Sequence, residues 1–432
     1  MGSSLCLCGS VHCNSYTAIA NPLAKRGDYR KRLSADVMLM MFELLANVLL
    51  FLYFFAIIQI LLIRYNVDYN ASNSEHKYIL VWDNYYFMNL NNKNEQKFPN
   101  LKCRVKNCTF TTDKDKLGGD YTRFDALIFT EKLLKLGGKG MPEKRSKSQM
   151  YIFTTIESSY NFPACEVKFD DFFNWTFTYR LDSDVQWFYF VVRNATRHIV
   201  APSQHVQWPV YDETVPVPLE VQKVFRERTK AAAWLVSHCD ADSSRDDYLS
   251  RLQEHLFHFA IQIDVYGGCS NVKCTNGNCA EMLRKDYYFY MAFENSFSED
   301  YVTEKVLHGY DNYVVPIVYG GANYTRFLPP GSYLNARKLH PYNLAYIMHE
   351  AMRNPDKYNE FFHWTNYYTL DSPEDLPELH PLCDLCEALN SDRIHRQRTH
   401  PQFRLLLGIQ IHNQWLSDLP RKELSGTSST PN

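Results

Sequence analysis

The sequence predicts an α/β fold in which one transmembrane helix precedes two halves, each built on a parallel sheet, that face a central cleft. Three observations predict it: a long apolar run near the N-terminus, short apolar segments that alternate with helical segments along the rest of the chain, and a proline-rich stretch between two such series. The 432 residues are enough for about two globular domains with accessory segments.

The apolar run covers residues 37–63 and exceeds the ~20 apolar residues that a helix needs to cross a bilayer. Residues 25–32 hold five basic side chains, whereas acidic and polar residues follow Arg64, so the positive-inside rule puts the N-terminus in the cytoplasm. The run is too long for a cleaved signal peptide, and no small-residue cleavage pattern follows it. We therefore predict a cytoplasmic tail at 1–36, this signal anchor, and a lumenal stem at 64–76, which is the topology of a single-pass type II protein.

The chain beyond the anchor is typical of a secretory protein. It carries five Asn-X-Ser/Thr sequons, at Asn70, Asn107, Asn174, Asn194 and Asn323. The net charge of −2 and the lack of a basic stripe argue against a nucleic-acid partner.

Nine of the 12 cysteines also follow the anchor. An oxidising compartment favours their pairing, and an odd number leaves at least one of them free or in an intermolecular bridge. Cys383 and Cys386 form a CxxC pair that a redox or zinc site could also use. Because no second ligand pair at zinc spacing accompanies it, we predict a local structural disulfide between these two cysteines.

Residues 77–210 form the first predicted domain. The apolar segments 77–82, 124–129 and 150–156 are typical of buried strands, and the turn-and-helix segments between them indicate a parallel sheet with crossover connections. Prolines crowd the stretch that follows, and proline continues neither a helix nor a sheet ladder. We therefore place a linker at 211–219.

Residues 220–390 form the second predicted domain, and a C-terminal helix and tail are expected at 391–432. The predicted order in the second domain is strand 231–236, helix 245–260, strand 261–265, strand 287–293, helix 302–310 and strand 314–319. This order is Rossmann-like, and ligands of such sheets bind outside the carboxyl ends of the strands. The cleft between the two domains is therefore the predicted site.

The polar loop after strand 287–293 carries the strongest chemical signal. It is rich in acidic residues and leads into a helix near Thr303, and the start of a helix suits a diphosphate because its N–H groups and dipole attract anions. Lys305 adds a positive charge, and the Glu304 carboxylate can accept hydrogen bonds from sugar hydroxyls. An ordinary capped helix would carry similar residues, so the residues alone leave both interpretations open.

Several segments, in the same order, closely resemble the signature of the α1,3-fucosyltransferases. They are Phe293-Glu-Asn-Ser296, Glu299-Asp-Tyr-Val-Thr-Glu-Lys305, Val315-Pro-Ile-Val318, Asn323-Tyr-Thr-Arg-Phe-Leu-Pro-Pro330, and, upstream, residues 173–184 and 233–239. The resemblance covers most of residues 77–390. The sequence of residues 319–324 is similar to that of invertebrate members of the family. It implies a GT-B fold of two Rossmann-like domains, GDP-fucose as the donor and inversion at the anomeric carbon.

The resemblance also implies roles for individual residues. Glu157 is the expected catalytic base, because it follows a strand in a segment similar to the family's Glu-Ser pair. Arg245 and Lys305 are the expected cations for the leaving diphosphate. The remaining expected donor-binding residues are Asn295, Tyr301 and Glu304, with Ser237 and Tyr266 as weaker candidates.

Two negative expectations accompany these roles. The Asp182-Ser-Asp184 segment resembles a metal motif of other transferases, but we interpret it as non-metal, with no obligatory cofactor and Mn²⁺ at most stimulating. The Asn174 sequon lies inside a family motif, so we expect it to be buried and the other four sequons to be glycosylated.

The sequence therefore predicts a Golgi membrane enzyme that transfers L-fucose in α1,3 linkage to a GlcNAc of glycoprotein glycans, the core GlcNAc of N-glycans being favoured over LacNAc. Its expected partners are GDP-fucose, a glycoprotein N-glycan and the membrane. Two alternatives stay open: a transferase that uses another nucleotide-sugar, and a noncatalytic Golgi glycan-binding protein.

Overall fold

A computed structural model describes residues 40–41, 44–62, 75–83, 98–212, 214–391 and 399–404. The predicted cytoplasmic tail, most of the predicted stem with Asn70, and most of the predicted C-terminal segment lie outside the described residues. The chain divides into two units, Met1–Ser74 and Glu75–Asn432.

The first unit contains helix α1, Leu44–Leu62. Its 19 residues have a mean hydropathy of 2.5 and are not buried by the rest of the chain. By length and composition this helix can cross a membrane, which agrees with the predicted anchor.

The second unit contains two parallel sheets. The first sheet has the order β2-β1-β3-β4-β5-β6 and comprises β1 (Lys77–Val81), β2 (Cys108–Thr111), β3 (Ala126–Phe129), β4 (Met150–Thr155), β5 (Trp175–Thr178) and β6 (Val185–Gln186). Helix α2, Glu131–Lys135, follows β3. Every residue of β3 and β4 is buried, as is usual for the inner strands of a parallel sheet.

The second sheet has the order β10-β9-β11-β12-β13. Its strands are β9 (Lys230–Leu235), β10 (Ile263–Tyr266), β11 (Tyr287–Phe293), β12 (Val315–Tyr319) and β13 (Leu334–Asn335). The helices around it are α3 (Leu219–Phe225), α4 (Arg245–Phe257), α5 (Cys279–Asp286), α6 (Lys305–Tyr310), α7 (Pro341–Arg353) and α8 (Pro355–Asn359). The six predicted elements of the second half occur in the predicted order, with α6 shorter than expected, whereas α3, α5, α7, α8 and β13 were not predicted.

Strand β11 shows how the second sheet is buried on both faces. Phe289, Met291 and Phe293 pack with α4 and α7 in one core cluster, whereas Tyr290 and Ala292 belong to the cluster on the other face. This alternation follows from the two-residue period of a strand. The near-continuous apolar run of β11 therefore reflects a strand between two layers of helices.

A third, antiparallel sheet was not predicted. It has the order β14-β7-β8 and pairs β14 (Tyr368–Asp371) with β7 (Val191–Asn194), which also pairs with β8 (Ile199–Ala201). The predicted linker, 211–219, has no helix or strand before α3 among its described residues. The C-terminal strand β14 therefore lies beside a strand that precedes the linker in sequence.

The predicted disulfide between Cys383 and Cys386 is wrong. Both residues lie on helix α9, Pro381–Leu389, and Cys383 pairs with Cys103 while Cys386 pairs with Cys108. Residues three apart share a helix face, so both sulfurs of α9 face the segment that leads into β2. The end of the predicted second domain is thus covalently joined to the first sheet.

Four further cysteines pair close in sequence, as Cys239–Cys269 and Cys274–Cys279. Cys165 is free and exposed. This confirms the prediction that the odd number leaves at least one cysteine without an intramolecular partner.

Candidate active site

Within the second unit, loops at the carboxyl ends of the strands of one parallel sheet contact a loop at the carboxyl end of a strand of the other. The loop after β11 contacts the loops after β4 and β5: the Ser296 hydroxyl donates to Ser158 (2.6 Å), and the Leu181 N–H donates to the buried Asp300 carboxylate (3.1 Å). In open α/β sheets this edge is where ligands bind. The loops that carry Glu157 and Tyr301 therefore lie side by side at this edge.

Arg245, the first residue of α4, lies between the ends of β9 and β11. It is buried and donates to the Phe293 carbonyl (2.8 Å) and the His238 carbonyl (2.6 Å). Its Nε–H is buried and has no hydrogen-bond partner among the described residues. Because an unsatisfied buried donor costs about 1–3 kcal/mol, this guanidinium is suited to receive an anion. Burial lowers its pKa, but arginine stays charged.

Lys305 belongs to a buried cluster with Glu294 and Thr303. The Glu294 carboxylate, 1% exposed, accepts from the Thr303 N–H (2.9 Å) and lies 3.0 Å from the Lys305 ammonium. Burial works to lower the pKa of Lys305, but attraction to Glu294 and Glu304 outweighs it and the pKa is raised. Burial raises the pKa of Glu294, the more deeply buried partner. Lys305 therefore remains a fixed positive charge.

The role of Glu294 was not predicted from the sequence, although Glu294 lies within the Phe293-Glu-Asn-Ser296 segment. The structure also changes the expected role of the helix start, because the Glu294 carboxylate, rather than a ligand, accepts the Thr303 N–H. Helix α6 begins only at Lys305 and spans six residues. The positive charge of Lys305 is therefore the stronger anion-binding feature of this segment.

Glu157, the predicted base, lies half-buried just beyond β4. Its Oε2 accepts long hydrogen bonds from the Tyr301 hydroxyl (3.4 Å) and the Asn161 amide (3.5 Å). Tyr301 is buried against Tyr179, with ring centroids 5.1 Å apart, and burial raises its pKa well above the usual value, so its hydroxyl stays protonated. The structure thus joins the predicted base directly to the loop that carries Lys305.

Two other predicted donor-binding residues lie in the same loop. The Glu304 side chain is 54% exposed and lies 3.5 Å from the Lys305 ammonium. Asn295 is partly buried, and its backbone carbonyl accepts from the Ser243 N–H (3.1 Å). Both can therefore contribute polar groups to a ligand near Lys305.

Ser237 and Tyr266 line a separate cavity of ≈ 620 Å³ at the carboxyl ends of β9 and β10. The Tyr266 hydroxyl is bonded to the Tyr287 hydroxyl (2.6 Å), so this residue offers its ring rather than its oxygen. Gly267, with a φ of +104°, also lines the cavity, and a Cβ there would lie 2.4 Å from the Val236 carbonyl oxygen. A flat, largely apolar group such as a nucleobase suits this lining.

The Asp182 and Asp184 carboxylates are engaged by protein donors. Asp182 pairs with Arg180 (2.7 Å), and Asp184 accepts from the Thr176 N–H (2.8 Å) and contacts the His400 ring nitrogen (2.9 Å). Within the described ranges, no group of three or more His, Cys, Asp or Glu side chains could hold a metal. The metal-independent reaction stays a prediction.

The sequons differ in exposure. Asn174 is buried as predicted, and its Oδ1 accepts from the Tyr151 N–H (2.8 Å) and from Arg145. Asn323 is exposed, while Asn107 and Asn194 are half-buried. Asn323 is therefore the most accessible of the described glycosylation candidates.

Comparison with known proteins identifies the family. Residues 74–190 match the model "Fucosyltransferase, N-terminal", and residues 225–403 match "Glycosyltransferase family 10 (fucosyltransferase) C-term". Among similar proteins, Alpha-(1,3)-fucosyltransferase C of Drosophila melanogaster is 37% identical over 67% of this chain and 66% of its own length. Glycoprotein 3-alpha-L-fucosyltransferase A of the same organism is 28% identical over 86% of this chain and 69% of its own length.

A solved structure of an α1,3-fucosyltransferase with GDP-fucose aligns over 67% of this chain and 82% of that chain, with 14% identity and a TM-score of 0.41. The match to the first Drosophila relative spans just under two thirds of that relative. The two family models together cover most of the second unit, including the loops that carry Glu157, Arg245 and Lys305. The chain belongs to the glycosyltransferase family 10 fucosyltransferases.

Proposed function

We propose that this chain transfers L-fucose from GDP-fucose, with inversion, to a GlcNAc hydroxyl of a glycoprotein glycan and forms an α1,3 linkage. The observation that carries the proposal is the contact between the two sheet edges. Glu157 on the first edge accepts from Tyr301, which lies in the loop that leads to Lys305 on the second edge. A base and a cation carried by loops that contact each other suit a direct displacement.

On the donor side, Arg245 and Lys305 stabilise the diphosphate as it leaves. The arginine fork offers five N–H donors, of which two are bonded to the Phe293 and His238 carbonyls. Fixed charges aimed at the group where negative charge develops need little reorganisation in the transition state. The cavity that holds Ser237 and Tyr266 receives the guanine base, and Asn295 and Glu304 bind ribose or fucose hydroxyls.

On the acceptor side, Glu157 removes the proton from the attacking hydroxyl. A positioned general base of this kind contributes about 10²–10⁴-fold to the rate. The hydroxyl attacks the anomeric carbon from the face opposite to GDP. The bond from this carbon to the phosphate oxygen breaks as the new bond forms, so the configuration at the anomeric carbon is inverted. In this proposal no metal is required, because Arg245 and Lys305 supply the positive charge that a metal ion would otherwise provide, and Mn²⁺ would at most stimulate.

The finer assignments belong to the same proposal. The chain is of the GT-B type, with domains at 77–210 and 220–390 joined by the linker 211–219. It is a type II protein of the Golgi membrane, anchored by the segment 37–63 that contains α1. We favour the core GlcNAc of N-glycans as the acceptor, and the similarity to Glycoprotein 3-alpha-L-fucosyltransferase A of Drosophila melanogaster supports a glycoprotein substrate.

The test uses residues 64–432 secreted as a soluble protein, since the unit Glu75–Asn432 is compact without α1. Transfer is measured with GDP-fucose, GDP-mannose and UDP-sugars as donors, and with GlcNAc-terminated N-glycans and LacNAc as acceptors. We expect transfer with GDP-fucose alone and preferentially to the N-glycan core. A preference for another donor, or no transfer to either acceptor, would reject the proposal.

A further inference from the structure

Three tyrosines hold the short segment that carries the proposed base. They lie in different parts of the chain and are Tyr179, Tyr189 and Tyr301. The Tyr189 hydroxyl donates to the Ile156 carbonyl, just before the base. The Tyr179 hydroxyl accepts from the Ser159 N–H (3.3 Å), just after it, and the Tyr301 hydroxyl donates to the Glu157 carboxylate itself (3.4 Å). The backbone on both sides of the base is therefore bonded by side chains that are distant in sequence.

The rings of the three tyrosines also pack against one another. The Tyr301 ring meets the other two edge-on, with its centroid 5.1 Å from that of Tyr179 and 6.3 Å from that of Tyr189. Edge-to-face pairs are a favourable aromatic geometry, and a phenol ring has few torsions to fix. Burial raises the pKa of Tyr189 well above its usual value, so its hydroxyl keeps the proton that it donates. The cluster is therefore a rigid support for the segment.

The peptide unit that precedes the base has both of its polar groups bonded by side chains. Its carbonyl, that of Ile156, accepts from Tyr189, and its N–H, that of Glu157, donates to the Thr155 hydroxyl (3.0 Å). Because a peptide unit is planar, two bonds at its opposite ends fix its orientation. The Thr155 bond is local, whereas Tyr189 lies 33 residues from Ile156. Tyr189 therefore ties this peptide unit to the connection between β6 and β7.

The carboxylate of the base depends on this backbone because its own contacts are long. The hydrogen bonds from Tyr301 and Asn161 to Glu157 are 3.4 and 3.5 Å long, near the limit for a hydrogen bond. The direction in which Glu157 projects is therefore set mainly by the peptide unit before it.

We propose that Tyr189 is a positioning residue for the catalytic base and acts, through the Ile156 carbonyl, on the peptide unit from which Glu157 projects. This inference rests on the proposed function, in which Glu157 takes the proton of the acceptor hydroxyl. Misplacement of a reacting group by about 1 Å can cost about 10²-fold in rate. The cations of the donor side, Arg245 and Lys305, project from other elements, α4 and α6. Loss of the Tyr189 hydroxyl therefore affects kcat rather than donor affinity.

The test compares two tyrosines whose hydroxyls each donate to a backbone carbonyl. Tyr189→Phe removes the hydroxyl and keeps the ring that packs against Tyr301. We expect kcat to fall roughly tenfold, the rate equivalent of one lost hydrogen bond, while the KM for GDP-fucose changes by less than about twofold.

The matched control is Tyr358→Phe. It removes a buried hydroxyl that donates to the Tyr288 carbonyl (2.5 Å) at the amino end of β11, away from the carboxyl edge that forms the site. This variant should lower Tm and leave kcat unchanged. An equal fall of kcat in both variants, or an unchanged kcat in Tyr189→Phe, would overturn the proposal.

A double variant tests whether Tyr189 acts through the base. If it does, Tyr189→Phe should cause no further loss of kcat in the Glu157→Gln background, because residues that act through one group are not additive. A second loss of roughly tenfold in the double variant would mean that Tyr189 acts on another part of the reaction, and the positioning role would be wrong.

Hydrogen exchange of the peptide 156–162 separates this proposal from the proposed function. Faster exchange of that peptide in Tyr189→Phe, and not in Tyr358→Phe, is expected whatever reaction the chain catalyses. If this difference is found but the wild-type protein transfers no fucose, the proposed function fails and the role of Tyr189 in holding Glu157 stands. If exchange is the same in both variants, the positioning role is wrong even when fucose transfer is observed.

Discussion

Replacing Glu294 with glutamine removes a buried negative charge at nearly constant volume, 3.0 Å from the Lys305 ammonium. Loss of one partner of a buried ion pair costs roughly 3–5 kcal/mol of unfolding free energy. Here the Lys305 side chain is 23% exposed and has Glu304 within 3.5 Å, and the glutamine oxygen can still accept the Thr303 N–H. We therefore expect a loss of about 2 kcal/mol, which lowers Tm by roughly 4 °C in a domain of this size.

Activity should fall as well, because the ammonium loses the acceptor that orients it. We expect kcat for fucose transfer to fall roughly tenfold, while GDP still raises the Tm of the variant. Thermal unfolding and steady-state kinetics of the soluble protein 64–432 measure both. Glu304→Gln is the matched stability control: its side chain is 54% exposed, so it should cost at most ~1 kcal/mol. A Glu294→Gln protein that is as stable as the wild type, or no less stable than Glu304→Gln, would refute the reasoning.

Three other predictions concern the base, a pH effect and the disulfides. Glu157→Gln should lower kcat by about 10²–10⁴ with GDP binding unchanged by calorimetry; full activity would dismiss this base. Asp384 lines a recess next to Glu387, where loss of hydration and the neighbouring carboxylate raise its pKa from 3.8 to about 6. The folded state therefore holds this proton more tightly, and the ionised group destabilises the fold as pH rises through this range, by a small amount because the side chain is exposed to solvent. Asp384→Asn should therefore raise Tm slightly more at pH 7 than at pH 4, and equal shifts at both would contradict it. Removing the Cys108–Cys386 disulfide by serine substitution should cost about 2–5 kcal/mol in thermal unfolding, whereas Cys165→Ser should leave Tm unchanged.

The long apolar strands could be predicted because burial on both faces gives a continuous hydrophobic run. This holds for β4 and β11, whose predicted bounds lie within one residue of the observed ones. Strands β6 and β13 have only two residues each and carry too little pattern to be recognised. The antiparallel sheet escaped prediction because β14 pairs with β7, far away along the chain, and no local pattern encodes such a partner.

The disulfides of α9 show the same limit. A CxxC pair indicates two cysteines on one helix face, but their true partners lie 280 and 278 residues away. Sequence alone cannot state connectivity over that distance. More of the candidate site could be predicted, because Glu157, Tyr301 and Lys305 follow strand ends. The carboxyl ends of parallel strands converge at one edge of a sheet. The contact from Tyr301 to Glu157 and the buried Glu294 depend on side-chain packing between loops, which no periodicity reveals.

The central claim is that Arg245 and Lys305 carry the charge stabilisation of the departing diphosphate. The direct measurement is kcat/KM for GDP-fucose in the double variant Arg245→Gln/Lys305→Gln, with folding checked by near-UV circular dichroism. Since loss of a single such donor typically costs about 10²–10³-fold, the account predicts a fall of at least ~10³-fold in a folded protein. A folded double variant that turns over GDP-fucose at the wild-type rate would contradict it.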